Sequence, residues 1–526
     1  MGRYDDYIIE TLDEACLLGA ELVKKLVEQF GINEVNARKV IQRQVANKNI
    51  WSSAPLSFGK GELLYYNSYK KPSRKIFKEF LKERRPPVFR LLDTLDRFSG
   101  ILSYFEVCKI TSTTVEKGTT KITGVRDILT DLVSLKFIVE RKDEDENVFV
   151  LNRAIEEHQD VEDEYKALIN RYNKTLALDA LFLPDIIRSL KELNLFKDFG
   201  QYRSHQNPSK GIKYNNLYWD AINYANISVF KDDSTEPAVP IVLDCIISRE
   251  YTSLDLDAFL SRIQISNNSV KSTKSRKMLG AIIVRNIEGV VENTARKLGF
   301  LVVDLVRFFG QQINIVLEKY KSLLFTSGFE GNDTLLNIEK TLEDIDKAGF
   351  EDKLKTFRGL LFEALIRPFF SDIYSKSELF SDKILTHPDK ENVAREFDLV
   401  LKSSHPQEIV LVELKGYQGD AFISKGSFNT KSTLGYFFRG SVPLAKAFYK
   451  KYLDEGYKLR CLFITSANFH VDCEQMISNI EGSDMVSPRI GQSCINGESL
   501  LKILRKEGYD HEAKIISTYY VNSKKK

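Results

Sequence analysis

The 526-residue sequence is poor in the residues that carry redox and zinc chemistry. Its six cysteines (Cys16, Cys108, Cys245, Cys461, Cys473, Cys494) are scattered and form no C-x-x-C pair. That argues against a zinc ribbon or a dithiol motif, and reduced thiols are the plain expectation. Six histidines with no H-x-x-x-H pair argue against a zinc hydrolase. No apolar run approaches the roughly 18 residues needed to cross a bilayer. The opening stretch MGRYDDYIIETLDEA is acidic and lacks an apolar signal core. A cytoplasmic protein with no membrane partner is therefore expected. GKGE at 59–62 lacks the spacing of a phosphate loop.

A hydrophobic content of 43% and a charged content of 28% are those of a globular chain. The length suggests about three or four domains. The net charge of +3 hides an asymmetry. Between Val35 and Arg90 there are fourteen Lys/Arg against three Asp/Glu, a local +11 that fits a nucleic-acid-binding surface.

Apolar spacing predicts a helix over 16–30, ended by Gly31, and a second helix EVNARKVIQRQV capped by Asn33. Its candidate buried positions are Val35, Val40, Ile41 and Val45. LSFGKGELLYY then reads as two short strands around 59–61. This is the order of a winged helix, with Arg38, Lys39 and Arg43 on the exposed face of its second helix and Lys60 in the wing, all four expected to contact DNA. The pattern recurs over 87–152, with an acidic wing tip. From about 200, strands alternate with helices, which indicates an α/β unit with a partly parallel sheet. A similar pattern from about 351 suggests a degenerate internal duplication. Its first helix, LKTFRGLLFEALIRPFF, is expected to stop at Pro368.

The chemistry sits in that last block. In the strand IVLVELKGY, alternation puts Glu413 and Lys415 on one face. A carboxylate and an ammonium on an apolar strand are costly to bury unpaired. Asp398 interrupts the apolar EFDLVL, and Glu363 interrupts the apolar helix GLLFEALI. Such breaks in a local pattern mark function. Three carboxylates and a lysine suit phosphodiester hydrolysis: oxygen ligands select magnesium, and an ammonium beside it stabilises developing charge.

This set resembles the PD-(D/E)xK nuclease superfamily, most nearly its Mrr-like restriction-endonuclease branch. The resemblance covers about residues 351–510 and also takes in CLFITSANF and INGESLLKIL. It implies that Glu363, Asp398 and Glu413 ligate Mg²⁺ (Mn²⁺ as a substitute), that Lys415 is the catalytic lysine, and that DNA is cut in restriction or defence. The proline that names the superfamily is absent; Glu396 and Phe397 precede Asp398. Residues 201–310 look like a defective copy. Asp220 stands for Asp398, Asp244 for Glu413 and Ile246 for Lys415; without the lysine this copy is expected to be weak or dead as a nuclease, with substitution by Arg249 from a shifted position the lesser alternative. His387, His405 and His470 are expected in loops, while Tyr417 and Gln418 are candidates to touch the substrate backbone.

The expected fold class is multidomain α+β and α/β. It comprises a winged helix (1–80), a second winged helix (81–152), a helical connector (153–200), a degenerate restriction-endonuclease-like α/β domain (201–310), a helical linker (311–350) and a nuclease domain (351–526). One active site cuts one strand, so double-strand cleavage requires a homodimer, a partner subunit or two successive events. An RNase, a repair nuclease acting on structured DNA, and a non-enzymatic DNA-binding subunit stay open as alternatives.

Overall fold

The computed structural model describes residues 3–69, 72–98, 100–113, 124–143, 146–153, 162–225, 239–269, 278–325, 332–418 and 420–522. The chain is mixed α and β and divides into two compact units, Met1–Leu183 with Leu190–Leu305, and Pro184–Ser189 with Val306–Lys526. No described helix is long and apolar enough to cross a membrane.

The first unit opens with α1 (Arg3–Glu14), β1 (Leu17–Leu18), α2 (Gly19–Phe30), α3 (Glu34–Ala46), β2 (Ile50–Ser52) and β3 (Leu64–Asn67). The three strands form an antiparallel sheet in the order β1-β3-β2. Gly31 ends α2 at φ 65°, and the Asn33 side chain accepts the Asn36 N–H to start α3, as the sequence predicts. α3 buries Ala37, Ile41 and Gln44 and leaves Arg38, Lys39 and Arg43 exposed. Val35, expected inside, is 59% exposed. It lies in the first turn, three and four residues before Arg38 and Lys39, and so shares their face.

The strands expected around 59–61 are also displaced. Gly59, Lys60 and Gly61 form a loop tip with positive φ, and β3 pairs with β2 across that loop. Leu56 and Phe58 pin the loop by burial without joining the sheet.

After α4 (Arg74–Arg84), the same order repeats as α5 (Pro86–Arg97), β4 (Ile101–Ser103), α6 (Tyr104–Thr111), α7 (Val125–Ser134), β5 (Ile138–Lys142) and β6 (Val148–Asn152). The sheet order β4-β6-β5 matches the first. Leu64, Phe77, Leu91 and Leu129 belong to one continuous core, so the expected boundary near residue 80 falls inside packed structure. The tip of the expected second wing, 144–145, lies outside the described residues.

Next come α8 (Glu162–Leu181), α9 (Leu183–Glu192), β7 (Phe196–Tyr202), β8 (Ile212–Tyr214), β9 (Leu217–Trp219), β10 (Ala221–Ala225), β11 (Pro240–Tyr251), α10 (Ser253–Ser269), β12 (Leu279–Ile287), α11 (Gly289–Lys297), β13 (Leu301–Asp304) and α12 (Leu305–Phe309). α8 falls in the stretch expected to be a connector, yet it packs on β11 and its Ile169, Tyr172 and Leu176 join the core over β4 and β6. The sheet runs β13-β12-β11-β10-β7. β7, β10 and β11 pair antiparallel, and β11, β12 and β13 pair parallel.

The second unit holds α13 (Ile313–Phe325), α14 (Asn332–Lys347), α15 (Lys355–Ile373), β14 (Ser377–His387), β15 (Lys390–Ser404), β16 (Gln407–Lys415), β17 (Phe422–Ile423), α16 (Val442–Phe448), α17 (Lys450–Asp454), β18 (Lys458–Thr465), β19 (Asn468–Phe469), α18 (Glu474–Glu481), β20 (Cys494–Ile495), α19 (Gly497–Lys506) and α20 (Asp510–Ile516). Its sheet, β14-β15-β16-β18-β20, repeats the first both in strand order and in the switch from antiparallel to parallel pairing. The duplication suggested by the sequence is therefore present in the topology.

α15 does not stop at Pro368 but continues to Ile373. Continuation helps bury Phe369, Phe370 and Tyr374. At about 1.5–3 kcal/mol for a large apolar side chain, that outweighs the roughly 3 kcal/mol lost at a helical proline. Leu354 cannot cap α15, so the cap comes from Asp185, which accepts from Thr356 N at 3.1 Å and Phe357 N at 3.3 Å. Losing it should weaken α15 by about 2 kcal/mol, which reads as roughly thirtyfold faster amide exchange near the start of α15 in Asp185→Ala. Unchanged protection there would contradict the capping role.

Candidate active site

The candidate residues gather where antiparallel pairing gives way to parallel pairing, at the carboxyl end of β16, the usual ligand side of such sheets. β15 and β16 pair Leu399 with Val412, which sets Asp398 beside the Glu413–Leu414 peptide, and the Leu414 N–H donates to Asp398 Oδ2 at 2.5 Å. Lys415 Nζ lies 3.2 Å from Asp398 Oδ2 and 2.8 Å from Glu413 Oε1, and it donates to the Leu414 carbonyl at 3.0 Å. The side chains of Asp398, Glu413 and Lys415 keep 13%, 11% and 19% exposure, so the cluster is mostly buried but still reached by solvent.

The sequence also explains how the chain reaches and leaves this point. β16 is apolar and buried from Ile409 to Val412, which anchors the strand up to its charged end. Gly416 follows because a Cβ there would meet Phe362 of α15 at 2.5 Å. Glu363 is the next residue on that helix and acts on Lys415 electrostatically. Ser466 then fixes the exit: its hydroxyl accepts the Tyr417 N–H and donates to the Tyr417 carbonyl, both at 2.7 Å.

Burial pushes the Glu413 carboxyl up to about 7; Lys415 opposes that shift and Asp398 adds to it. Burial works against the charge on Lys415, but Asp398, Glu413 and Glu363 outweigh it and hold its ammonium well above the ordinary range. The site therefore carries a firm cation and a carboxyl poised near neutrality, the kind of separation found at reactive centres. Two carboxylates facing one cation position form an oxygen donor set suited to magnesium, which binds through one or two carboxylates. Among the described residues, no three ligating side chains close into a ready metal cage. The fit thus lies in Asp398 and Glu413, with Glu363 adding charge from α15.

The other candidates are placed differently. The Tyr417 ring packs partly buried against the core instead of facing outward. The Gln418 carbonyl accepts from Ala421 N in a turn. His387 accepts from Asp389 N, and His470 pairs with Asp472 at 3.0 Å, both local turn contacts. Arg38, Gln42, Lys60 and Arg84 line an open cleft of about 680 Å³ in the first unit.

In the first unit, β10 and β11 repeat the acid geometry, and the Cys245 N–H donates to Asp220 Oδ2 at 2.9 Å as Leu414 does to Asp398. Ile246 is buried where Lys415 stands. Arg249 does not replace the lysine; it pairs with Asp255 at 2.8 Å. Two residues escaped the sequence reading. Asp179 of α8 corresponds to Glu363, a match visible in LDALFLP (178–184) against FEALIRP (362–368). Lys109 supplies the missing ammonium from α6, 2.6 Å from Asp220 and 2.8 Å from Asp244; no local motif signals it. Compared with known proteins, the chain matches no family model, no curated protein and no solved structure.

The raised Glu413 pKa has a stability consequence. A carboxyl whose folded pKa lies above its unfolded value favours folding most at low pH, and that contribution fades as pH rises from about 4.5 to about 7. In metal-free buffer, wild type should lose stability relative to Glu413→Gln across that window. Parallel pH–stability curves in urea titrations would contradict the assignment.

Proposed function

We propose that the second unit is a divalent-metal-dependent endonuclease that hydrolyses DNA phosphodiester bonds, a member of the restriction-endonuclease-like fold, and that the first unit's helical modules act as winged helices. The observation that carries this reading is the convergence of Asp398, Glu413 and Lys415 on two adjacent central strands, with the lysine in contact with both acids. The modules support it through the repeated order helix, strand, helix, helix, strand, strand. Arg38, Lys39 and Arg43 stand exposed on α3, and Lys60 at the loop tip shares a cleft with Arg38.

Asp398 and Glu413 would hold the metal, and Glu363 would add negative charge behind it. When bound, magnesium supplies Lewis acidity and positive charge against the scissile phosphate. Lys415 stays protonated at neutral pH and donates toward the phosphate oxygens or the attacking water. The Leu414 N–H holds Asp398, and the Ser466 hydroxyl fixes the backbone just after Lys415. Restriction or defence against foreign DNA is the setting the reading favours, and double-strand cleavage would need two chains or two successive cuts.

Plasmid nicking tests the chemistry. Lys415→Ala and Asp398→Ala should each lose about a hundredfold or more in rate while keeping their fold, and chelation should abolish wild-type cutting. Near wild-type rates in either variant would reject the site.

Binding tests the modules separately. On an uncleaved duplex in Ca²⁺, the Arg38/Lys39/Arg43→Ala chain should bind more weakly, and each lost phosphate contact should reduce the slope of log affinity against log salt by about 0.9. An unchanged slope would remove α3 from the DNA interface.

A further inference from the structure

The acid pair of the first unit already has its cation. Lys109 Nζ sits between Asp220 and Asp244, and all three side chains are at most 6% exposed. Arg203 adds a second cation, with Nε 2.9 Å and Nη2 2.7 Å from Asp220 Oδ1. Arg262 adds a third, 3.1 Å from Asp244 Oδ1. Asp179 lies beside Arg203, and Glu106 of α6 acts on Lys109, Arg203 and Asp179, so four carboxylates surround three cations. The neighbouring cavity, lined in part by Lys109, Asp244 and Arg262, has a volume of about 10 Å³, room for one water at most. A divalent cation would find no space there, and three cations already stand against the acids.

Burial disfavours the charge on Asp244, but Lys109 and Arg262 outweigh it and hold the carboxyl below the ordinary range. Lys109 is held above its own range by Asp220 and Asp244 against the same penalty. These groups therefore stay ionised together.

Lys109 does not belong to the α/β domain. It projects from α6, in the second helical module, and the contacts around it join the same two parts. The Ser112 hydroxyl at the end of α6 donates to the Ala258 carbonyl of α10 at 2.8 Å. Phe105 of α6 meets Tyr218 edge to face at 5.9 Å. Glu106 of α6 accepts from the Tyr172 hydroxyl of α8 at 3.1 Å.

We infer that the first α/β domain is a metal-free docking socket for the second helical module, in which Lys109 of α6 occupies the acid pair Asp220/Asp244 and locks module and domain into one rigid body. The inference rests on these contacts alone and stands whether or not the second unit cuts DNA. Physically, a buried ion pair broken on one side leaves an uncompensated charge, whereas removing both members leaves none.

The test is a charge-balance cycle in the full chain. Lys109→Met should shift the unfolding equilibrium of the first unit by about a hundredfold or more. It should also speed amide exchange in both Tyr104–Thr111 and Ala221–Ala225. Lys109→Met combined with Asp244→Asn should recover at least about tenfold of that loss, since neighbours in one network are not additive. In an Asp398→Ala/Glu413→Ala chain, Mn²⁺ titration followed by electron paramagnetic resonance should show no bound ion. A double variant as unstable as the two single losses combined would overturn the socket. So would Mn²⁺ binding that Asp220→Asn removes. If Lys109→Met alone fails to fold, recovery or its absence in the double variant still decides.

Discussion

A lysine ammonium held by two aspartate or glutamate side chains on adjacent strands is the contact on which both α/β domains turn. Buried charges of this kind are unstable alone and must be satisfied locally. The two copies meet that demand in opposite ways. In the second, Lys415 comes from the same strand as Glu413, two residues on, and the cluster keeps some exposure to solvent. In the first, Ile246 removes the local lysine, and Lys109 arrives from another module, with Arg203 and Arg262 completing an enclosed set. The same acid geometry thus leaves one site accessible and closes the other.

Accessibility is what distinguishes a reactive cluster from a structural one. Glu413 is raised toward neutrality because burial and Asp398 outweigh the opposing effect of Lys415. Asp244 is pushed the other way because Lys109 and Arg262 both reach it. A poised carboxyl beside a firm cation is useful to chemistry; a fully compensated one is useful to packing.

Much of this was legible in the sequence where the signal is local. Glu413 and Lys415 could be placed because strand alternation fixes their shared face, and Asp398 because it breaks an apolar run. Gly31 and Asn33 followed from capping chemistry. What was not legible is long-range or tertiary. Lys109 lies 111 residues before Asp220, and nothing near it marks a buried ion pair. β14 carries little local signal, because it is an edge strand with Phe380 and Ile384 at its surface and its apolar pattern is weak. Pro368 and Val35 misled for the same reason in reverse: local propensity was overridden by aromatic burial in α15 and by the facing of the first turn of α3.

The most direct measurement is an anomalous difference map from crystals of the chain soaked in Mn²⁺. A peak between Asp398 and Glu413, with none beside Asp220 and Asp244, is the predicted result. A peak in the first unit, or no peak at Asp398 and Glu413 with Mn²⁺ bound elsewhere, would contradict the division of roles between the two copies.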